Sequence, residues 1–159
     1  PLISKMLDTL CRMPRWRGHF YNWYDTRTLR PLEPAYLSCV DSGNLYASLL
    51  TLKNGLYSHG RNELALRVEK LTEGMDFSVF YDKERGLMRI GIDLAKHAPS
   101  PAHYDLMASE ARLTGYLAVA RGDVPKSLWK RMSRVQKQYG NYHHISFDYF
   151  HFHPPIISF

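Results

Sequence analysis

Val40-Asp-Ser-Gly-Asn-Leu-Tyr-Ala-Ser-Leu-Leu-Thr-Leu-Lys-Asn-Gly-Leu56 is the stretch that sets the fold class. Leu45, Leu49, Leu52 and Leu56 recur every three or four positions, the spacing that lines one side of a helix. Asp41 or Ser42 supplies the N-cap, and Gly60 ends the helix or follows its end. On the carboxyl side, Asn62 caps a third helix carrying Leu64, Val68 and Leu71, which stops near Gly74. On the amino side, Ile3 to Met13 reads as the first helix. The chain is therefore expected to be mainly α.

Between the first two helices lies Gly18-His-Phe-Tyr-Asn-Trp-Tyr-Asp-Thr-Arg-Thr-Leu29, followed by Pro31 and Pro34, which discourage regular structure. Neither this run nor Val40 to Asn44 has a period that buries one face of an element. Both are rich in side chains that stack on flat rings and hydrogen-bond hydroxyls, a composition that suits a sugar site better than a core. Further on, Phe77-Ser-Val-Phe-Tyr-Asp and Leu87-Met-Arg-Ile-Gly-Ile flank a charged turn with Gly86 and read as a β-hairpin. Two strands alone are marginal in water, so this hairpin is expected to pack on helices.

The 159 residues, 45% of them apolar, suffice for one sizeable core, in a single domain or part of a larger one. Cys11 and Cys39 lie far apart with no second thiol near either, so neither a CxxC metal site nor a disulfide framework is indicated, and both are expected to be buried and reduced. No apolar stretch approaches the roughly 18 residues of a membrane span, so the chain as given is expected to be soluble. It begins at Pro1, directly inside a helix, and is read as a piece of something longer.

The formal charge of +6 raises the question of nucleic acid. The densest basic segments are Arg12 to Arg17 and Lys126 to Lys137. The second is read as a helix with Leu128, Met132 and Val135 on its apolar face and the charges on a solvated one. No zinc-finger spacing, helix-turn-helix glycine turn or RNP-like aromatic strand is present, so no nucleic-acid partner is expected.

Ser100-Pro101 supplies an N-cap and a first-turn proline, which predicts a helix from there to about Arg121. At about 100° per residue, Leu106, Glu110, Leu113 and Leu117 share one stripe, with Glu110 in its middle facing the interior, while Asp105, Ser109 and Arg112 form the polar flank. A buried lone carboxylate is costly, so Glu110 must be paired, hydrogen-bonded, raised in pKa or open to a cavity. Pairing with an arginine such as Arg27 and service as a catalytic acid or nucleophile at the mouth of a helical barrel both satisfy this.

His19-Phe-Tyr-Asn-Trp-Tyr-Asp-Thr-Arg-Thr-Leu-Arg-Pro-Leu32, Val40-Asp-Ser-Gly-Asn44, Met75-Asp-Phe-Ser-Val-Phe-Tyr-Asp-Lys-Glu-Arg-Gly-Leu87, Tyr104-Asp-Leu-Met-Ala-Ser-Glu-Ala-Arg-Leu113 and Gly122-Asp-Val-Pro-Lys-Ser-Leu-Trp129 together resemble the glycoamylase-like region of cyclic β-1,2-glucan synthases, in the same order, over roughly Ile3 to Met132. The resemblance implies a partial (α/α)6 toroid with a small β-hairpin, made by residues 1–140, and action on β-1,2-linked glucose. In the parent enzymes this region is thought to close linear glucan into a ring by transglycosylation, while relatives of similar fold hydrolyse it. Ring closure with the same linkage implies retention and a pair of carboxyl groups. The resemblance makes Glu110, the glutamate of Ser-Glu-Ala-Arg, one of that pair, as nucleophile or acid/base. Phe20, Trp23 and Tyr24 become stacking platforms. Asp25, Arg27, Asp41 and Asn44 hydrogen-bond glucose or brace the loop, Arg27 with Asp41 being equally readable as a salt bridge. Tyr104, Asp105 and Arg112, from the block around Glu110, complete the expected substrate site. No cofactor is implied. The expected partners are β-1,2-glucan and the remainder of a larger synthase chain, with this segment cytoplasmic, making no direct membrane contact, and the parent enzyme at the inner membrane.

Three departures qualify the resemblance. The link from Tyr57 to Gly74 is shorter than in the family, Cys39 stands where threonine is usual, and His103 replaces a common tyrosine. Beyond about Gly140 the Trp-Ser-Gly and Phe-Glu-Tyr motifs and a later second acidic motif are missing. Residues 141–159 instead form a divergent tail. His143, His144, His151 and His153 in it suggest metal ligation less well than an altered or truncated reading frame does, so no metal is expected. Without the partner carboxylate, a catalytically inactive glucan-binding or structural remnant is the alternative to an active transglycosylase fragment.

Overall fold

The computed structural model describes residues 2–96, 98–105, 109–132 and 136–145; of residues 109, 110, 136–139 and 143–145 only the backbone is described. Within them are five α-helices and four small antiparallel sheets. Helix α1 (Leu2–Arg12) is followed by the short strands β1 (Arg15–Trp16), β2 (His19–Phe20) and β3 (Tyr36–Ser38), then by α2 (Cys39–Ser58) and α3 (Asn62–Glu73). The mainly helical expectation agrees with this architecture.

Helix α2 begins earlier than expected. The cap is Ser38 rather than Asp41 or Ser42, its hydroxyl accepting the Asp41 N–H at 3.2 Å. The reason is non-local: β3 is held extended by antiparallel pairing with β6 (Gly91–Asp93), Ser38 opposite Gly91, so the chain turns helical as soon as that pairing ends. Leu49 and Leu56 are buried, and Leu45 and Leu52 half-buried, against Leu7 of α1 and Ala65, Val68 and Leu71 of α3. Gly60, at φ +66°, follows the helix. Asn62 is the first residue of α3 rather than its cap; Arg61 holds that place without a side-chain bond.

The expected hairpin forms only in part. Asp76 accepts the Ser78 N–H at 3.0 Å and the Ser78 hydroxyl at 2.5 Å, tightening Phe77–Phe80 into a 3-10 turn. Only β4 (Tyr81–Asp82) and β5 (Leu87–Met88) pair, around Gly86 at φ +70°. Strand β6 then leaves the hairpin for a second sheet, in which it lies between β3 and β7 (Ala98–Pro99). Phe77, Phe80, Met88 and Ile92 join Leu37, Cys39, Tyr46, Ala118 and Leu128 in the larger core cluster.

The helix expected from Ser100-Pro101 does not start there. Residues 102–104 stay extended along β5 and β6, with the Ile90 N–H donating to Ala102 O at 3.0 Å and the Tyr104 N–H to Met88 O at 3.1 Å. The Ser100 hydroxyl caps a local turn by accepting the Ala102 N–H. A buried ionic cluster fixes this segment: Asp82 takes Arg89 at 2.6 Å and His103 at 2.8 Å. Burial works against the Asp82 carboxylate, but the Arg85 N–H, His103 and Arg89 outweigh it and hold its pKa below the usual carboxylate value. Helix α4 (Ser109–Arg121) follows. Asp105 thus precedes the helix and is not on its polar flank.

The face that α4 buries is also not the expected one. Ala111, Thr114, Gly115 and Ala118 are buried, whereas Leu113 is 40% exposed. Gly43 of α2 packs on Thr114, and Tyr46 lies 4.9 Å from the Arg121 guanidinium. Both contacts advance along both helices in the same direction, so α2 and α4 run side by side and parallel. Close backbone approach needs small residues, so Leu113 is left exposed while Leu117 is half-buried against the larger core.

Helix α5 (Ser127–Arg131) is far shorter than the expected basic helix. Leu128 and Met132 are buried as expected. Met132, at φ −56° and ψ 128°, leaves the helical region, and farther on the chain forms an antiparallel hairpin of β8 (Gln136–Tyr139) and β9 (Tyr142–Ile145) around Gly140 at φ +58°. The 140/141 boundary falls in the turn of this hairpin. Val135, His151 and His153 lie outside the described residues. Cys39 is buried, but Cys11, expected to be buried, is exposed near the end of α1. No helix among the described residues is long and apolar enough to cross a membrane.

Candidate functional site

Arg17 and Gly18, at φ 45° and 79°, make the two-residue turn between β1 and β2, the geometry that matches strand twist. Past this turn His19 is fully buried, edge-on to Phe77 and Phe80, its Nε2 2.8 Å from Asp76 O. That carbonyl only accepts, so Nε2 carries the proton and the buried Nδ1 has no partner. Burial lowers the pKa of His19 below 6.5. The unfolded chain therefore takes up a proton that the folded one refuses. Stability is complete above about pH 6.5 and declines as pH falls toward the lower folded value. Urea titrations between pH 7.5 and 5 are expected to show this decline, and H19F to flatten it; an equal slope in H19F contradicts the assignment.

The loop after Phe20 docks on the start of α2 through Asn22. Its backbone N–H donates to Tyr36 O at 3.0 Å, and its Oδ1 accepts the Ser38 N–H at 2.9 Å. In a capping box that N–H would be taken by the acidic side chain three residues into the helix, here Asp41. With Asn22 in that role, the exposed Asp41 carboxylate has no hydrogen bond or ion pair among the described residues. It sits in the first turn of α2, where the helix dipole favours negative charge.

Asp41, Phe20, Tyr21, Asn22, Ser42 and Leu45 line a cleft of about 210 Å³. This is below the ~300–1,000 Å³ of most small-molecule pockets, on the scale of one ring rather than a chain of them. Its walls are two aromatic rings and a leucine, and its polar groups are a carboxylate, an amide and a hydroxyl. Such a set accepts and donates hydrogen bonds around an apolar ring face.

Of the sequence-predicted residues, the cleft brings together Phe20 and Asp41. Trp23 is 55% exposed outside the cleft lining, beside Leu32, whose N–H donates to Trp23 O at 3.0 Å. Tyr24 is engaged in bracing: its hydroxyl accepts the Tyr21 N–H at 2.9 Å and donates to Pro14 O at 2.7 Å. Asp25 closes a turn by accepting the Thr28 and Arg27 N–H groups, which lower its pKa. Arg27 is exposed, and no ion pair joins it to Asp41 among the described residues. Asn44 is half-buried, its backbone carbonyl accepting the Ser48 hydroxyl at 2.9 Å. Tyr104 packs against the larger core with its hydroxyl 3.4 Å from Ile90 O, and Arg112 is exposed on α4.

The side chain of Glu110 lies outside the described residues. Its backbone lies near the amino end of the described part of α4, at the same end of the parallel pair as Asp41 of α2. By spacing it belongs with Leu113, which is exposed, and Leu117, which is half-buried against the larger core, while Leu106 lies outside the described residues; the expectation of an inward-facing stripe is thus corrected at Leu113 alone.

Tyr21, Asn22 and Ser42 lie in the two stretches whose composition suits a sugar site but are not singled out by it, and Leu45 reads only as part of a helix's apolar side. The Ser38-Cys-Val-Asp41 spacing is a legible capping signal. Asn22's substitution for Asp41 is not, because it joins positions sixteen apart. Among the described residues no group of three or more His, Cys, Asp or Glu side chains is placed to hold a metal.

No family model matches the chain. Over 52 residues, 33% of its length, it is 48% identical to the cyclic beta-(1,2)-glucan synthase NdvB of Rhizobium meliloti (strain 1021). The matched segment is 2% of that protein's length. The chain thus contains a segment closely similar to a small part of a much longer glucan synthase.

Proposed function

We propose that this chain is a fragment of a carbohydrate-active domain of the glycoamylase-like kind, residues 1–140 supplying part of an (α/α)6 toroid, and that it binds β-1,2-linked glucose in the cleft between Phe20 and Asp41. The carrying observation is the Asp41 carboxylate, released from capping by Asn22 and set beside two aromatic rings. The similarity to a segment of a cyclic β-(1,2)-glucan synthase supports glucan as the ligand class. The α2–α3 hairpin beside a parallel α4 supports the toroid, whose repeating unit is such a hairpin. Trp23, exposed and following the cleft residue Asn22 in the chain, is offered as a surface for a following sugar ring.

In the active reading, Glu110 serves as nucleophile or acid/base in retaining transglycosylation, at the same end of the helices as the glucan cleft. In the alternative reading, the chain binds glucan without turning it over. Linear β-1,2-glucan is the discriminating probe. Binding is expected to weaken at least about tenfold in D41N, the loss of one charge-assisted hydrogen bond. New chain lengths that vanish in E110Q establish the active reading, and unchanged glucan with retained binding the inactive one. No binding by the parent chain, or equal binding by D41N, overturns the site.

A further inference from the structure

The basic run Arg12 to Arg17 has no part in the glucan cleft, yet the fold gives its members different duties. Arg12 closes the last turn of α1, where a cation complements the helix dipole. Arg17 reaches the Asp76 carboxylate at 3.4 Å. Arg15 has neither duty. Its guanidinium lies 5.6 Å from the Phe20 ring centroid, and it faces a second cleft, of about 390 Å³, lined by Met13, Arg15, Gly18, Lys70 and Gly74.

This cleft contains two cations and no carboxylate. Neither Arg15 nor Lys70 makes an ion pair among the described residues, although Glu73 is exposed three residues beyond Lys70 in the same helix and Asp76 is nearby. Asp76 is already engaged by Ser78 and Arg17, which hold its pKa down against the effect of burial. The floor is rigid, because Gly18 and Gly74 meet backbone to backbone there. Stacking on Phe20 pre-orients the Arg15 fork, so less freedom is lost when it is engaged. Two like charges facing one cleft without a counter-charge repel, and an anion bridging them relieves that repulsion while accepting hydrogen bonds from both.

We propose that the cleft between the β1–β2 turn and the end of α3 is an oxyanion site in which Arg15 and Lys70 together bind a phosphate group, free or as an ester. It is separate from the glucan cleft and does not depend on glucan being the ligand there. The Arg15 guanidinium supplies a planar pair of donors and the Lys70 ammonium a point charge.

Inorganic phosphate and methyl phosphate, titrated into the full chain at low salt and followed by amide chemical shifts, test the site. Both are expected to saturate shifts at Gly18 and Gly74, and to bind about tenfold more weakly in R15Q and in K70Q, with K70R restoring most of the loss. Both side chains are exposed, so neither variant is expected to change the dispersion of the spectrum. Saturation by inorganic phosphate alone identifies the free anion as the source, and binding by the ester as well identifies the phosphate group as what is recognised. Absence of saturable shifts with either probe, or binding that is unchanged in R15Q and K70Q, overturns the proposal.

Discussion

Gly18→Ala is expected to destabilise the chain by about 3 kcal/mol or more, lowering Tm by ~10 °C, because two penalties coincide at this position. The residue sits at φ +79°, which a side chain resists, and a Cβ there would overlap the Gly74 carbonyl and lie 2.6 Å from Met75 N. Both neighbours are backbone and have no rotamer with which to give way. Two other glycines separate the penalties. Gly122 has φ +85° with nothing within 4 Å of a Cβ, so Gly122→Ala should cost only the backbone strain, on the order of 1 kcal/mol. Gly55 lies within α2 with open space and no positive φ, so Gly55→Ala should stabilise by about 0.5–1 kcal/mol through helix propensity. Thermal unfolding of the three variants checks the order. A Gly18→Ala protein no less stable than Gly122→Ala would show that the turn does not press on α3.

The second large effect is expected at Arg121. Its guanidinium donates to Asp123 Oδ2 at 2.9 Å, to Thr72 O at 3.0 Å and to Met75 O at 2.8 Å, and it stands over the rings of Tyr46 and Phe77. Asp123 Oδ2 in turn accepts the Phe77 N–H at 3.1 Å. One side chain thus ties the end of α4 to the carbonyls at the end of α3 and to the turn before the 3-10 segment. Removing the cation leaves Asp123 and two carbonyls short of donors in a half-buried place, a loss of about 2–4 kcal/mol. In urea unfolding, R121Q should lower the unfolding free energy by that amount, seen as a lower midpoint with an unchanged slope. R121K should recover only part of it, since an ammonium cannot span three acceptors in a plane. A loss below about 1 kcal/mol in R121Q would reduce this hub to a surface contact.

Neither of these residues stands out in the sequence. Arg121 reads as the last basic residue of a helix and Gly18 as the start of an aromatic run. Their importance comes from partners far along the chain, Thr72 and Met75 for one and Gly74 for the other. The candidate site divides in the same way. Phe20 and Asp41 were legible because the aromatic run and the Asp-Ser-Gly-Asn stretch are unusual in composition. That they meet in one cleft was not, since Asn22 brings them together by bonding Ser38. Tyr24 and Asp25 share the same composition but are engaged by local backbone groups, which a sequence does not distinguish from ligand contacts.

Local signals in the sequence were enough for the helical class, the extents of α1, α2 and α3 to within a few residues, and the turns at Gly60 and Gly86. Each of these rests on interactions spanning about one helical turn or one tight turn, where periodicity and conformational preference act directly. Contacts made far along the chain settled where α2 begins, that residues 101–105 stay outside the helix expected there, how α4 packs on α2, how short α5 is, and which side chains share a cleft. At Ser100-Pro101 the local capping preference lost to pairing with β5 and β6 and to the Asp82, Arg89 and His103 cluster. On α4 Leu113 is left exposed and Leu117 half-buried while Ala111, Thr114, Gly115 and Ala118 are buried, because the close approach of Gly43 to Thr114 leaves no room for larger side chains. A local preference is worth about 1 kcal/mol, and a buried hydrogen-bond network or a close helix contact outweighs it wherever the chain returns on itself.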